Sequence, residues 1–362
     1  MLKMFNYTRS SNENQNAIVD STLELARAYY DGKKPADYDE KNKAVLEGMA
    51  KFAVEGTKFE AMYENEGLKI FNHSQVKNST NVRENFDVVL AQIVSAIVPE
   101  VVNDTFARFI AEVHQVGYGE TARFMIESND LFRVNSKAEG VRKGVDQPLF
   151  DNEITVNATN HTIDTHIDWY PLASGVFNIG SWGVRIARSF MAHIFVKAIK
   201  GMTAATTEFG SAYTINGVTP ELFGDLKAKV SAANGGMNVI VIGTPVALSN
   251  LSLQGNYQVQ VGEEMTKVGY LDQYLGTPIV AIDNVLIPGT TNTSAKLALD
   301  NKVMYMIPAA GDKPVKIVFE GNEVSVNFVP EMCSDSRLGL SVEMRYGVST
   351  ICGSKYGTIK LA

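Results

Sequence analysis

The sequence predicts an α+β fold built on one long helix, and three observations carry that prediction. The first is the stretch from Asn178 to Met202, where Trp182, Ile186, Phe190, Ile194, Ala198 and Met202 recur at helical spacing with Ala187, Met191, Phe195 and Ile199 beside them. The second is a pair of segments with two-residue alternation, Arg123 to Val134 and Glu153 to Tyr170, which read as two β-strands. The third is the change after Gly210 to short capped helices alternating with short apolar strands, the pattern of an α/β lobe.

Composition bounds what such a chain does. Its 362 residues exceed what one core usually serves, so two lobes are expected. Hydrophobic content of 45% and charged content of 20% are those of a folded protein. A formal net charge of −7 excludes a surface that grips nucleic acid all over, while leaving room for one basic face. Cys333 and Cys352 lack metal-type spacing and read as free thiols of a reducing compartment. The N-terminal segment has no apolar core of the signal-peptide kind, and no window approaches the run of about 18 apolar residues that a membrane span needs. A cytoplasmic chain with no membrane partner is expected, and the Asn-x-Thr triplets at Asn157 and Asn160 then reflect composition alone.

Each part of the chain can be taken in turn. Residues 1–85 are polar and helical by pattern, with helices from Ala17 to Tyr30 and from Asp39 to Tyr63 that stop at Asp31-Gly32 and near Gly67. Their weak claim to a core of their own predicts an arm that packs on a neighbouring subunit or an assembly partner. Residues 86–116 are strongly apolar, with Pro99 dividing two short elements. Within 117–170 the two alternating segments flank a Gly- and charge-rich loop from Asn135 to Pro148. A two-stranded ribbon is marginal alone in water, so this one is expected to project and lie against another molecule.

Residues 171–210 hold the long helix. Asn178 is a suitable N-cap and Gly201 a suitable stop, which leaves about 22 residues or roughly 33 Å between them. Its second face carries Arg185, Arg188, His193, Lys197 and Lys200 and no acid. That face reads either as the solvated back of a core helix or as a basic surface turned to a polyanion or a neighbouring subunit. Residues 211–329 give a capped helix from Thr219 to Val230 with Pro220 at its first position, a buried strand from Met237 to Thr244, and a further helix opened by Pro245. A strand from Thr277 to Asp283, the turn-rich Ile287 to Ser294, and strands at Lys302 to Ile307, Val315 to Phe319 and Glu323 to Val329 follow. Residues 330–362 end in Leu338 to Thr350 and a β-branched segment to Leu361, read as strand returning to an earlier sheet.

Motifs for chemistry are weak. Gly117-Tyr118-Gly119-Glu120-Thr121-Ala122 fits a loose dinucleotide fingerprint, but a helical pattern precedes it and a strand follows, the reverse of what that fingerprint needs. Asp164, His166 and Asp168 share a strand face and could ligate a metal, but successive members lie about 7 Å apart and a hydrophilic ribbon face explains them as well. His73, His114, His161 and His193 have no Ser or Cys partner at motif spacing, and P-loop, H-E-x-x-H and nucleophile-elbow patterns are missing. No catalytic residue, cofactor or metal is assigned.

The order of these parts is similar to that of the major capsid protein of tailed bacteriophages, with its Hong Kong 97-like shell fold. Local wording carries the resemblance from Phe86 to Leu361: V-G-Y-G-E-T-A-R-F leading into D-L-F-R-V, G-V-F-N-I-G-S-W-G into the helix, V-I-G-T-P, A-L-D-N-K-V-M-Y-M-I-P and M-R-Y-G-V-S-T. The resemblance implies an N-terminal arm (1–85), the start of a peripheral domain (86–116), an extended β-hairpin loop lying over the adjacent subunit (117–170), a spine helix (171–210), an axial α/β domain (211–329) and a return to the peripheral domain (330–362). It implies that Ile287, Gly289, Thr290 and Asn292 lie near a capsomer axis, since Gly and Thr allow close approach of several copies. Lys137, Arg142 and Lys143 at the ribbon tip then meet acids of a neighbour, or are simply solvated. Arg185, Arg188, Lys197 and Lys200 face packaged double-stranded DNA or pair with acids of an adjacent ribbon, and the net acidity favours the second.

One branch of the family cross-links a ribbon lysine to a late asparagine. Lys137 and Lys143 are candidates for the lysine, but no Asn follows Asn327, so noncovalent stabilisation is expected. The implied function is self-assembly into an icosahedral virion shell of pentamers and hexamers, formed in the cytoplasm of a bacterial host. Scaffolding, portal and decoration proteins and non-specifically held double-stranded DNA are the implied partners. The alternatives are an encapsulin-type compartment and a soluble oligomeric α/β enzyme.

Overall fold

An apolar stripe as long as that from Trp182 to Met202 needs cover along its whole length, and the chain supplies it from helices on one side and two sheets on the other. The structure, a computed structural model, describes residues 13–97, 110–127, 131–136, 139, 147, 149–208, 210–253, 269–321, 324–333, 337–350 and 353–361. Lys137, Arg142, Lys143, Pro99 and Cys352 lie outside the described residues.

Helices α1 (Glu13–Tyr30), α2 (Tyr38–Val54), α3 (Glu60–Glu66), α4 (Ser74–Lys77) and α5 (Thr80–Ile97) come first. The single helix expected from Asp39 to Tyr63 is two, because Gly56 takes a left-handed φ of +69° and ends the first. The expectation of an arm reaching a neighbour is corrected here for residues 13–85. Val19, Leu25, Leu46, Met49, Ile70 and Phe71 are buried in the same core as Ile186, Phe190 and Ile194. In α1 the buried face is Val19, Thr22, Leu25 and Ala26, a stripe narrow enough for the surrounding polarity to hide. Gly180 lets this helix come close, since a Cβ there would lie 3.1 Å from the backbone nitrogen of Ala26.

Strands β1 (Ala111–Val116), β2 (Ala122–Glu127), β3 (Phe150–Val156) and β4 (Thr159–Asp168) precede α6 (Trp169–Ala173) and α7 (Ile179–Glu208). The long helix is α7, and its 30 residues make it about 45 Å long. Asn178 caps it as expected, its side-chain oxygen accepting from the Ser181 N–H at 2.9 Å. The Tyr38 hydroxyl donates to that same oxygen at 2.9 Å, and the Asn42 amide donates to the Phe177 carbonyl at 2.8 Å, which fixes α2 to the start of the beam. Gly201 does not stop the helix. A Cβ there would overlap the Thr350 side chain, so the residue is small because a strand end passes against it.

The rest of the chain is β5 (Thr214–Asn216), α8 (Pro220–Ala233), β6 (Val239–Gly243), α9 (Pro245–Leu253), β7 (Gln273–Tyr274), β8 (Thr277–Ala281), β9 (Val303–Pro308), β10 (Val315–Glu320), β11 (Ser325–Phe328), β12 (Arg337–Thr350) and β13 (Gly357–Lys360). Thr219 caps α8 as predicted, accepting from the Leu222 N–H at 3.2 Å.

Two sheets result. In the first, β12 pairs antiparallel with β10 and β11 along one edge and with β4 along the other, and β1 adds parallel to β10. The second has the order β5-β13-β9-β6-β8-β7. One of its faces packs on α8 and α9 through Val241, Met304 and Met306, while the other, with Ile240, Ile242 and Tyr305, joins the core around α7. Tyr356 donates to the Met202 carbonyl at 2.7 Å and the Thr203 and Tyr305 hydroxyls meet at 3.0 Å on the side of the second sheet, while His193 lies against Tyr346 of β12 in the first, so α7 serves both sheets.

Three expectations about strands change. The segment from Glu153 to Tyr170 is two strands: β3 stays in the ribbon with β2, and β4 crosses to β12. Strands β10 and β11 fall within the expected axial stretch but belong to the first sheet, and β13 returns to the second sheet rather than the first. Buried strands are apolar on both faces, so their composition does not say which sheet they join.

Candidate functional site

A two-stranded ribbon has to be anchored at its base before it can project. Here β2 and β3 pair from Ala122↔Val156 to Glu127↔Phe150, with an irregularity after Ile126. Val156 is buried against Val318 of β10, with Ala122, Phe124 and Ile154 packed around them. The Phe124 ring lies 5.4 Å from the Lys316 ammonium, and Lys316, whose side chain is only 3% exposed, is held by the carboxylates of Glu112 and Asp312. Burial pushes the Glu112 carboxyl up, but hydrogen bonds from Lys316 and His114 outweigh it and leave the group below the usual carboxylate range. The turn into the ribbon is the glycine segment weighed above. Its Gly117 N–H donates to Glu120 at 2.9 Å and its Gly119 N–H to Glu320 at 2.8 Å. Carboxylates already occupy the donors that a phosphate would need, which disposes of the dinucleotide reading.

Beyond the paired strands, Leu131 (93% exposed), Phe132 and Val134 (98%) stand in solvent. This stretch is ordered by Gln147, whose side chain accepts from the Arg133 N–H at 2.7 Å and donates to the Arg133 carbonyl at 3.1 Å, as a paired strand would. The sequence reading named the cations of the ribbon tip and missed these apolar residues, although the alternation in D-L-F-R-V was the available signal.

The loop chosen for an axis contact is a closed knob. Leu286 and Leu297 bridge its neck, the Ile287 N–H donates to the Lys296 carbonyl at 2.8 Å, and the Thr290 hydroxyl donates to the Ile287 carbonyl at 2.8 Å while accepting from Lys296 N–H at 3.2 Å. Ile287 and Thr290 are therefore half-buried and engaged within the loop, whereas Gly289, at φ +83°, and Asn292 are exposed.

The structure divides the basic stripe of α7. Arg185, Arg188 and Lys200 are exposed, and the Arg188 guanidinium lies 4.8 Å from the centre of the Tyr30 ring. Lys197 is half-buried, with its ammonium 3.1 Å from His161 Nε2 of β4. His193 Nδ1 lies 2.5 Å from the Tyr346 hydroxyl of β12, and the two imidazoles are 5.1 Å apart, centre to centre. The histidine contacts were not legible in the sequence, because nothing in spacing pairs residue 161 with 197 or 193 with 346.

Asp164, His166 and Asp168 sit on the exposed side of β4, but pairing with β12 brings Arg337 within 3.6 Å of Asp168. Among the described residues no group of three or more His, Cys, Asp or Glu side chains is placed to hold a metal ion. An open groove of about 470 Å³ runs between α7 and the second sheet, lined by Ile199, Thr203, Ala204, Leu299, Val303 and Tyr305. Among the described residues no helix is long and apolar enough to cross a membrane.

An anchored ribbon, a closed knob and a long beam define a protein whose prominent features are surfaces rather than a pocket. Residues 21–360 match the model of the family described as "SPbeta prophage-derived putative capsid protein YonB". The chain belongs to this family, and the capsid reading of the sequence stands at that level. No curated protein matches it. Among solved structures it is similar to a virus-like particle from Pyrococcus furiosus, with 10% identity over 76% of this chain and 99% of that one and a TM-score of 0.45. It is similar also to the mature capsid of bacteriophage PhiM1, with 12% identity over 72% and 88% of the two chains and a TM-score of 0.46. An encapsulin complex from Synechococcus elongatus shows 12% identity over 72% and 88%, with a TM-score of 0.40.

Proposed function

We propose that the chain is the major capsid protein of a tailed phage-type virion, with a Hong Kong 97-like shell fold, and that its work is structural rather than catalytic. Membership of a capsid family over residues 21–360 supports the class. The observation that carries the mechanism is the ordered strip of Leu131, Phe132 and Val134, held out in solvent by Gln147. Exposed apolar side chains on a projecting ribbon mark a surface that another copy covers.

On this reading the ribbon lies across a neighbouring subunit, with Lys137, Arg142 and Lys143 at its tip meeting acids there. The first sheet with α7 forms a peripheral domain, and the second sheet an axial domain whose knob brings Ile287, Gly289, Thr290 and Asn292 towards a capsomer axis. Arg185, Arg188 and Lys200 face DNA or an adjacent ribbon. Assembly would take place in the host cytoplasm with scaffolding and portal proteins, and the product would be the virion shell. Sedimentation velocity of the chain expressed alone tests this. Large particles that carry nucleic acid support the proposal, particles that carry protein cargo favour an encapsulin-type compartment, and a species of a few subunits at every concentration contradicts both.

A further inference from the structure

We propose that the groove between α7 and the second sheet receives Phe132 and Val134 from the ribbon of a second copy of the chain, and that Arg133 of that copy meets Asp300 at the groove's rim. The contact rests on the shell reading and supplies the receiving site which that reading leaves open.

Each chain carries both halves of the contact and joins neither to itself. Val134 is 98% exposed and Phe132 57%, while the groove, about 470 Å³, stands open. Its floor is Ile199, Leu299 and Tyr305, all buried, and its wall on α7 is completed by the exposed Thr203, Ala204 and Thr207. The Thr203 hydroxyl is already engaged by the Ile199 carbonyl at 2.9 Å and the Tyr305 hydroxyl at 3.0 Å, so its proton is not offered to a guest. An apolar occupant suits such a lining.

Two features match the ribbon strip to this groove. The first is spacing. Ile199, Thr203 and Thr207 recur every fourth residue, so the wall runs about 12 Å with steps of about 6 Å. Gln147 holds both the N–H and the carbonyl of Arg133 as a strand partner would, which leaves Phe132 and Val134 on one face of an extended segment, about 7 Å apart. Side chains at that interval fit between helical residues, and a strip already ordered loses little freedom on docking. The second is charge. Lys200 and Asp300 stand exposed on opposite rims, and the Lys302 N–H, donating to Asp300 at 2.9 Å, holds that carboxylate in place. Arg133, between the two apolar residues and exposed, is drawn to Asp300 and repelled by Lys200, which sets the direction in which the strip crosses. Donor and receiver are different surfaces, so the contact runs head to tail and propagates from copy to copy.

Disulfide trapping in the full chain tests this. Val134→Cys chains are mixed with Ala204→Cys chains, concentrated, oxidised and run on a non-reducing gel, with particles scored in the same samples. We expect a linked dimer from the mixture and none from either variant alone, which also controls for Cys333 and Cys352. Val134→Cys mixed with Thr162→Cys, on the exposed side of β4, should stay unlinked. Arg133→Asp in the donor or Asp300→Arg in the receiver should each lose the dimer, and the two together should restore it. Particles without the Val134 to Ala204 link, or with a link to Thr162 instead, overturn the groove contact and leave the shell standing, as does a link indifferent to both charge reversals. A link in species that never exceed a few subunits keeps the contact and overturns the shell, and the absence of both link and particles overturns both.

Discussion

Gly347 has no room for a side chain: a Cβ built on it would stand 2.5 Å from the Asn157 carbonyl, where the chain leaves the ribbon and enters β4. Because the obstacle is backbone, it cannot rotate away, and Gly347→Ala should lower stability by about 1–3 kcal/mol in denaturant unfolding. Asp87 on α5 presents the opposite problem. It is 8% exposed, its Oδ1 has no hydrogen-bond partner, and burial pushes its carboxyl up to about 7. A carboxyl raised above its unfolded value keeps its proton in the folded state. The contribution of Asp87 to stability should therefore be greatest at low pH, fall as pH rises from about 4 to about 7, and level off above. Asp87→Asn should flatten that slope and stabilise the protein by about 1–3 kcal/mol at pH 8, with little change at pH 4, as followed by melting across pH.

Among elements, α7 was the most legible in the sequence, since a sustained helical period and an N-cap are local signals. Its C-terminal end was not, because Gly201 answers to Thr350 across the sheet and not to its own helix. The division of β3 from β4 was hidden for a similar reason. Two-residue alternation continues through both, and only pairing with β12 separates them. Of the candidate site, the ribbon and the basic stripe could be read directly, whereas the meeting of His161 with Lys197 depends on a sheet register that no local pattern encodes. Two predictions follow at this scale. Ile194→Ala, fully buried on the stripe, should cost about 2–5 kcal/mol and show it as a lowered melting temperature. Replacing Leu131 and Phe132 together with Ser should leave the fold within about 0.5 kcal/mol of wild type, since both are exposed, yet prevent large particles from forming.

In the whole molecule, one helix is shared by a helical layer and two sheets, and the last strands return first to one sheet and then to the other. The continuous helix α7 holds these layers to one another, which suits a tile. The N-terminal helices were read as an arm because their polarity was averaged over the segment; their buried stripe makes residues 13–85 part of the tile's own body. The central claim is that copies of this chain close into a shell. Negative-stain electron microscopy of the full chain, expressed alone and with its particles sized by light scattering, tests it most directly. The account predicts closed shells, or sheets, tubes and rings of the same units, and their loss in the Leu131 and Phe132 double variant. A small species that stays small when concentrated, and when a scaffold is supplied, would contradict it.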